Sequence, residues 1–224
     1  MKKLKVKWKQ SWRIISTRYP PINIYESVAD QNELEAIKIV ESFTSPRIND
    51  LIHKIEVLPE EERIYGIQGA DIIMASYCYS SDGRFSKEND LKAIYVAKKV
   101  ETAIEETKYH TAKRFLNARI QEAEEDVRIL SLTLDGELAD IRNLQSKHSD
   151  LYNPDSYIAS QAYAEYLRKL NYDGILYSSV RDIEGECAAV FRPKLFKNCT
   201  TAGFLKYIYK NGKIESVLKI KEVR

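Results

Sequence analysis

The stretch Ile94–His110 sets a short strand directly before an amphipathic helix, so the fold must contain both kinds of element. Its first residues alternate as in a buried strand, and from Val100 apolar residues recur with a helical period. On a helical wheel Glu106 lies on the shoulder of the apolar stripe, whereas Glu101 and Glu105 fall on the polar flank. We expect a carboxylate in that position to face a cleft rather than bulk water.

Hydrophobic patterns elsewhere predict a mixed α+β chain. Further strands are predicted at Trp12–Ser16, Val127–Leu134, Ile175–Val180 and Cys187–Arg192. An extended segment is predicted around Pro20 and Pro21. Helices are predicted after Asp30 and around 154–170. On the last helix, one apolar face is predicted from Ile158, Ala162, Tyr166 and Leu170. The polar, glycine-bearing segment Ser80–Asp90 is predicted to be an exposed loop.

The C-terminal segment gives the clearest local signal. Asn211 and Gly212 stand between two alternating segments and readily adopt the positive φ angles of a type I′ turn. A β-hairpin is therefore predicted over 204–223. The segment 58–81 is ambiguous, and its glycines and prolyl turn suggest loops around a short helical or strand segment.

Composition excludes several classes of protein. The 224 residues fit a single domain, 1–224, and 35 Lys and Arg against 33 Asp and Glu argue against a dedicated nucleic-acid binder. No apolar run suits a signal peptide or a membrane span. Three cysteines without a CxxC pair predict a reducing, cytoplasmic setting, and three scattered histidines make a metal site unexpected.

Three stretches carry polar residues in a distinctive order: "DGRFS" at Asp82–Ser86, the opening stretch, and "YDGILYSSVRDIEGECAAVFRP" at Tyr172–Pro193. They present a loop arginine, a strand tyrosine, a helical glutamate and a strand-end serine. This order, and the spacing from Tyr95 to Glu106, resemble the RES-domain family, which is named for its arginine, glutamate and serine. The resemblance covers about residues 12–193. It departs at Phe85, where many members have tryptophan.

The resemblance implies an ADP-ribosyltransferase-like core of two small packed β-sheets with flanking helices. It also implies a toxin of a bacterial toxin–antitoxin pair that consumes NAD+ without a metal. Such toxins break the nicotinamide–ribose bond with water or inorganic phosphate as acceptor. The expected partner is an Xre-type helix-turn-helix antitoxin, and a homo-oligomer within that complex is one expectation. No direct contact with nucleic acid or membrane is expected.

Roles for the site residues follow from the resemblance and from the chemistry. Cleavage makes the ribose ring positive, and a fixed carboxylate, Glu106, stabilises that charge. Arg84, with Arg13 as a second candidate, suits the pyrophosphate because a guanidinium bonds two oxygens at once. Tyr95 offers a face to the cationic nicotinamide. Ser179 is expected to bond a ribose hydroxyl or a phosphate oxygen.

Each of these residues also has a purely structural interpretation. Glu106 can pair with His110, Tyr95 can be core, Arg84 can be solvated, Ser179 can cap a turn, and Arg181 can pair with Asp182 or Glu184. Two alternative functions stay open. One is transfer of ADP-ribose to a protein, and the other is a non-catalytic module that binds a nucleotide or a partner.

Overall fold

The computed structural model describes residues 2–18, 26, 32–33, 50, 53–55, 58–88 and 92–221. The extended segment around Pro20 and most of the helix predicted after Asp30 lie outside these ranges. No helix within them is both long and apolar enough to cross a bilayer.

The described residues form seven strands and three α-helices of nine residues or more, and residues 32–33, 50 and 53–55 are also helical. The strands are β1 (Lys3–Ser16), β2 (Ile94–Ala97), β3 (Glu122–Asp140), β4 (Gly174–Ser178), β5 (Glu186–Val190), β6 (Phe196–Lys210) and β7 (Lys213–Ile220). The helices are α1 (Ala70–Cys78), α2 (Val100–Asn117) and α3 (Ile158–Lys169), with 3-10 turns at Glu60–Glu62, Ser149–Tyr152 and Pro193–Leu195. The predicted strand–helix unit and the C-terminal hairpin are confirmed, and Asn211 and Gly212 have φ angles of 53° and 79°.

The strands follow the order β1-β2-β5-β4-β3-β6-β7, and β1 also pairs with β3. That additional ladder is antiparallel and runs from Lys3–Ala139 to Ser16–Val127. By contrast, β1 meets β2 at one pair only, Trp12 with Ala97. Five strands therefore close into a ring whose weakest seam is the single β1–β2 pair, and β3 and β4 share only two pairs. Strands β6 and β7 extend outward from β3.

The expected ADP-ribosyltransferase-like core of two small packed sheets is not confirmed, because the described strands form one hydrogen-bonded sheet. The cause is the length of β1 and β3, which pair along almost their whole length and so join both halves. A register shift between Trp8 and Ser11 marks a bulge where β1 bends. The broader expectation of a mixed α and β fold is confirmed.

Alternate residues of the central strands contribute to two apolar clusters, one on each face of the sheet. On one face Ile94 and Val96 pack with α1, and on the other Ala97 packs with residues of α2 and α3. Strands buried on both faces read as nearly continuous apolar runs, as β2, β4 and β5 do. This double covering holds β2 rigid immediately before α2.

The face predicted to be buried on α3 is instead exposed. Ile158 is 80% and Tyr166 55% exposed, while the buried face carries Ser160, Ala164 and Leu167. Small residues let the helix backbone approach its neighbours closely, so they occupy the packed side. The helix also begins at Ile158, later than the predicted start near Pro154.

Gly69 is required where α1 begins, against β6. Its φ is 77°, and a Cβ there would lie 2.2 Å from the carbonyl oxygen of Cys199. We expect Gly69→Ala to lower the free energy of unfolding by about 3 kcal/mol or more, because strain and overlap add. Urea denaturation measures this loss.

Gly212→Ala is the matched control, since its φ is 79° but nothing lies within 4 Å of the added carbon. We expect it to cost about 1 kcal/mol, from backbone strain alone. Equal losses for the two variants would contradict the close approach at Gly69.

Candidate active site

A cleft of about 540 Å³ opens along one side of α2. Its other walls come from the second half of β1, from β2 and from the loop that precedes β2. Four predicted site residues line it: Arg13, Arg84, Tyr95 and Glu106. The fifth, Ser179, reaches it through a hydrogen bond to Glu106. The structure thus brings all five together.

Glu106 is half-buried on the cleft-facing side of α2. One turn earlier Ala103 is buried, and at the next position Thr107 bonds the hydroxyl of Tyr207 at 2.8 Å, which fixes the helix against β6. The hydroxyl of Ser179 donates to Oε1 of Glu106 at 2.6 Å. In the described part of the chain no ion pair joins Glu106 to His110, so that structural interpretation is not observed.

Ser179 sits at the start of a tight turn after β4. Its Oγ accepts the main-chain N–H groups of Arg181 and Asp182, each at 3.0 Å, while its proton goes to Glu106. A hydroxyl offers one proton and two lone pairs, so all of its capacity is used. Thr102 of α2 anchors the same turn by donating to Asp182 at 2.6 Å. Ser179 therefore both caps a turn and orients the carboxylate.

The loop that carries Arg84 is buried at its centre, contrary to the prediction of an exposed loop over Ser80–Asp90, although Ser81, Asp82 and Glu88 are exposed. Arg84 is only 7% exposed, and Phe85 and Ser86 are fully buried. Nη1 of Arg84 donates to the carbonyls of Leu151 and Asn153, both at 2.9 Å. Its Nε and Nη2 make no hydrogen bond with the described residues, which leaves one edge of the guanidinium for a ligand.

Tyr95 and Gln161 hold this loop closed. The hydroxyl of Tyr95 accepts the N–H of Phe85 at 2.8 Å and donates to Ser86 at 3.0 Å, and Gln161 donates to the carbonyls of Gly83 and Ser86. Burial raises the pKa of Tyr95 to about 12, so its proton stays available to Ser86. Tyr95 thus supports the arginine loop in addition to lining the cleft.

Arg13 crosses the seam between β1 and β2. Its Nη1 donates to the carbonyl of Tyr95 at 3.0 Å, close to the single strand pair formed by Trp12 and Ala97. Its buried Nε has no hydrogen-bond partner among the described residues. The seam is consequently braced by a cation that still has a free donor.

Arginine dominates the electrostatics of the cleft. Five arginines line it (Arg13, Arg18, Arg84, Arg114 and Arg181), against three acids (Asp82, Glu106 and Glu125), and the described lining contains no lysine. A guanidinium bonds phosphate oxygens in a planar, bidentate way that an ammonium does not. The cleft is therefore suited to an anion with several oxygens.

Cys187 lies in the cleft wall near Glu106, and a thiol in such a position is a candidate nucleophile. Burial, with the negative charge of Glu106 adding to it, raises the pKa of the Cys187 thiol well above its usual value. Thiol nucleophiles react as thiolates. Cys187 therefore stays protonated at neutral pH, and Glu106 is the group in this part of the wall suited to charge stabilisation.

Sequence patterns missed several lining residues. Arg181 pairs with neither Asp182 nor Glu184; it donates to the carbonyl of Pro154 at 2.7 Å, and its guanidinium lies 3.3 Å from the ring centre of Tyr109. Tyr157 lies under Arg84, at 5.2 Å from the ring centre. Arg18, Arg114 and Glu125 are further charged lining residues that were missed. Only the cluster of polar residues after Ser179 hinted at any of them.

One of three comparisons with known proteins identifies the family of this chain. A family model described as the RES domain matches residues 63–209, well over half of the chain. No curated protein sequence is significantly similar to the chain. Among solved structures, the chain is similar to one in the crystal structure of the M. tuberculosis MbcT–MbcA toxin–antitoxin complex, at a TM-score of 0.43 and 12% identity over 89% of this chain and 86% of that chain. By its family match, the chain belongs to the RES-domain family.

Proposed function

We propose that this protein is a toxin that destroys NAD+ by cleaving the bond between nicotinamide and ribose. The observation that carries the proposal is the pairing of Glu106 with Ser179 in a cleft lined by five arginines. The carboxylate suits a developing positive charge, and the arginines suit the pyrophosphate of a dinucleotide. Membership of the RES-domain family supports the same reading.

In the proposed reaction the bond between ribose C1′ and the nicotinamide nitrogen breaks first. Its electron pair goes to the ring nitrogen, which neutralises the pyridinium and releases nicotinamide. The ribose becomes an oxocarbenium-like centre, which Glu106 stabilises at close range. Water or inorganic phosphate then bonds to C1′, and when water attacks, Glu106 accepts the proton that it loses.

Ser179 acts as a positioning residue in this proposal and not as a ribose ligand. Its hydroxyl is already saturated by Glu106 and by two main-chain N–H groups. Tyr95 offers its ring to the nicotinamide, and the free edge of Arg84 takes phosphate oxygens. Arg13, whose Nε is buried, contributes its positive charge to the cleft wall. A helix-turn-helix antitoxin that covers the cleft would keep the toxin inactive in the cell.

Incubation of the purified protein with NAD+, with and without phosphate, tests the proposal. Nicotinamide with free ADP-ribose indicates hydrolysis, and nicotinamide with phosphorylated ADP-ribose indicates phosphorolysis. Nicotinamide with a labelled protein instead indicates ADP-ribosyl transfer. If no nicotinamide is released under any condition, the proposal is overturned and the non-catalytic binding module is the remaining alternative.

Ser179→Ala tests the positioning role separately. We expect kcat for nicotinamide release to fall about 10- to 100-fold with little change in KM, because the carboxylate loses its orientation. Ser178→Ala is the matched control, since that neighbouring hydroxyl bonds the carbonyl of Arg142 at 3.1 Å and does not line the cleft. A rise in KM with kcat unchanged would contradict the positioning role and indicate that Ser179 binds the ribose directly.

A further inference from the structure

The end of the cleft remote from Ser179 contains a buried ion pair that the proposed reaction does not use. Arg114 of α2 bonds Glu125 of β3, whose side chain is 2% exposed, whereas that of Arg114 is 46% exposed. Both residues line the cleft. The second carboxylate oxygen of Glu125 is buried without a hydrogen-bond partner among the described residues. Burying a charge in this way is costly, and a single surface-facing partner offsets only part of that cost.

A second arginine lies beside this pair. The β1–β3 ladder reaches Ser16–Val127, and the N–H of Thr17 then bonds the carbonyl of Asp126 at 3.0 Å. The next step of the same register brings Arg18 level with Glu125. Arg18 is exposed and lines the cleft. The backbone register therefore places Arg18 opposite Glu125, and both Arg18 and Arg114 line this end of the cleft.

The spacing from the reacting end matches a dinucleotide. Arg114 follows Glu106 by two turns on the same helix, which is roughly 12 Å along the axis at 1.5 Å per residue. Thr107, His110 and Thr111 line the cleft between them. A ligand whose scissile bond lies at Glu106 and which extends along α2 reaches Arg114 with its opposite half. In NAD+ that half is the adenylate.

We infer that Arg18 and Arg114 bind the adenylate half of the dinucleotide through its phosphate, and that Glu125 holds Arg114 in position for this contact. The inference rests on the proposed function for the identity of the ligand. The inference makes this end of the cleft a determinant of substrate specificity, because nucleotides without an adenylate gain no binding energy from it. Binding energy from such a remote group contributes to the reaction only for the complete substrate.

Nicotinamide mononucleotide provides the test, because it has the same scissile bond but no adenylate. The variants are Arg18→Ala and the double change R114Q/E125Q, which replaces the ion pair by two amides and leaves no buried charge alone. We expect kcat/KM for NAD+ to fall roughly tenfold or more in each variant, the size of one lost charge-assisted contact, while the mononucleotide reacts at the wild-type rate. Lys7→Ala, an exposed cation on β1 outside the cleft, is the control.

Equilibrium titration with ADP keeps this inference separate from the proposed reaction. We expect wild-type protein to bind ADP and both variants to bind it at least about tenfold more weakly. If wild-type protein binds ADP but releases no nicotinamide, the proposed function fails and the adenylate site stands. Equal losses with both substrates, unchanged kinetics with NAD+, or ADP affinity equal in all proteins would each overturn the inference.

Glu125→Gln alone examines the positioning role. We expect KM for NAD+ to rise with kcat unchanged, because Arg114 keeps its charge but loses its fixed orientation. A fall in kcat with both substrates would show that Glu125 serves the fold of the whole cleft and would contradict the role.

Discussion

Replacing Glu106 by glutamine is expected to lower the rate of nicotinamide release by about a thousandfold or more, because the amide carries no charge to stabilise the ribose cation. The substitution disturbs little else. The amide oxygen still accepts the 2.6 Å hydrogen bond from Ser179, so the turn after β4 keeps its anchor. Nicotinamide release by purified protein and growth arrest in cells that express the toxin without antitoxin measure the effect.

Glu105→Gln is the matched control on the same helix. Glu105 bonds Lys108 at 2.8 Å and does not line the cleft. We expect its rate to stay within about twofold of wild type, as for a surface ion pair worth a few tenths of a kcal/mol. Full NAD+ loss by the Glu106 variant would remove this carboxylate from the mechanism.

Replacing Arg84 is expected to have the second-largest effect, because in the proposed function this side chain binds the ligand and it also holds two main-chain carbonyls. Arg84→Lys keeps the charge but cannot bond two carbonyls and still offer a planar edge to phosphate. We expect KM for NAD+ to rise roughly tenfold or more, with a fall in kcat. Arg84→Ala should in addition lower the free energy of unfolding by about 1–3 kcal/mol, because the buried carbonyl of Leu151 loses its donor.

Arg63→Lys is a suitable control, since Arg63 also holds a main-chain carbonyl, that of Leu58, at 2.8 and 3.0 Å, but outside the cleft. We expect it to alter stability without altering KM. Substrate kinetics and thermal unfolding of the four proteins separate the two effects. Unchanged affinity for NAD+ in both Arg84 variants would restrict Arg84 to its structural contacts.

Local patterns predicted the elements whose cause is local. The β2–α2 unit follows from hydrophobic periodicity within one short stretch, and the hairpin follows from the turn preference of Asn211 and Gly212. Ring closure could not be predicted in this way. Ring closure depends on strand pairs such as Lys3 with Ala139. These residues are far apart in the sequence, and nothing in the sequence near either one indicates its partner.

Long-range contacts also explain what was missed in the site. The loop of Arg84 contains polar residues and a glycine, which are typical of exposed loops, yet it is buried because Gln161 and the 151–153 segment bond it. The motif order identified Ser179, but a serine's chemistry does not reveal that its proton goes to Glu106, 73 residues away. The apolar face predicted on α3 is exposed. The buried face was not recognised because Ser160 and Ala164 are too small or too polar to produce a clear hydrophobic pattern.

The three cysteines have a practical consequence for testing whether the proposed antitoxin binds, and where. All three are buried and unpaired, and burial raises the pKa of Cys78 and Cys199 to about 12 and raises that of Cys187 well above its usual value. Such thiols alkylate slowly. A single cysteine introduced at Ile183 or Ile158, both strongly exposed, would then carry a fluorophore selectively, without removal of any native sulfur. Quenching or protection of that dye would report which surface a bound antitoxin covers.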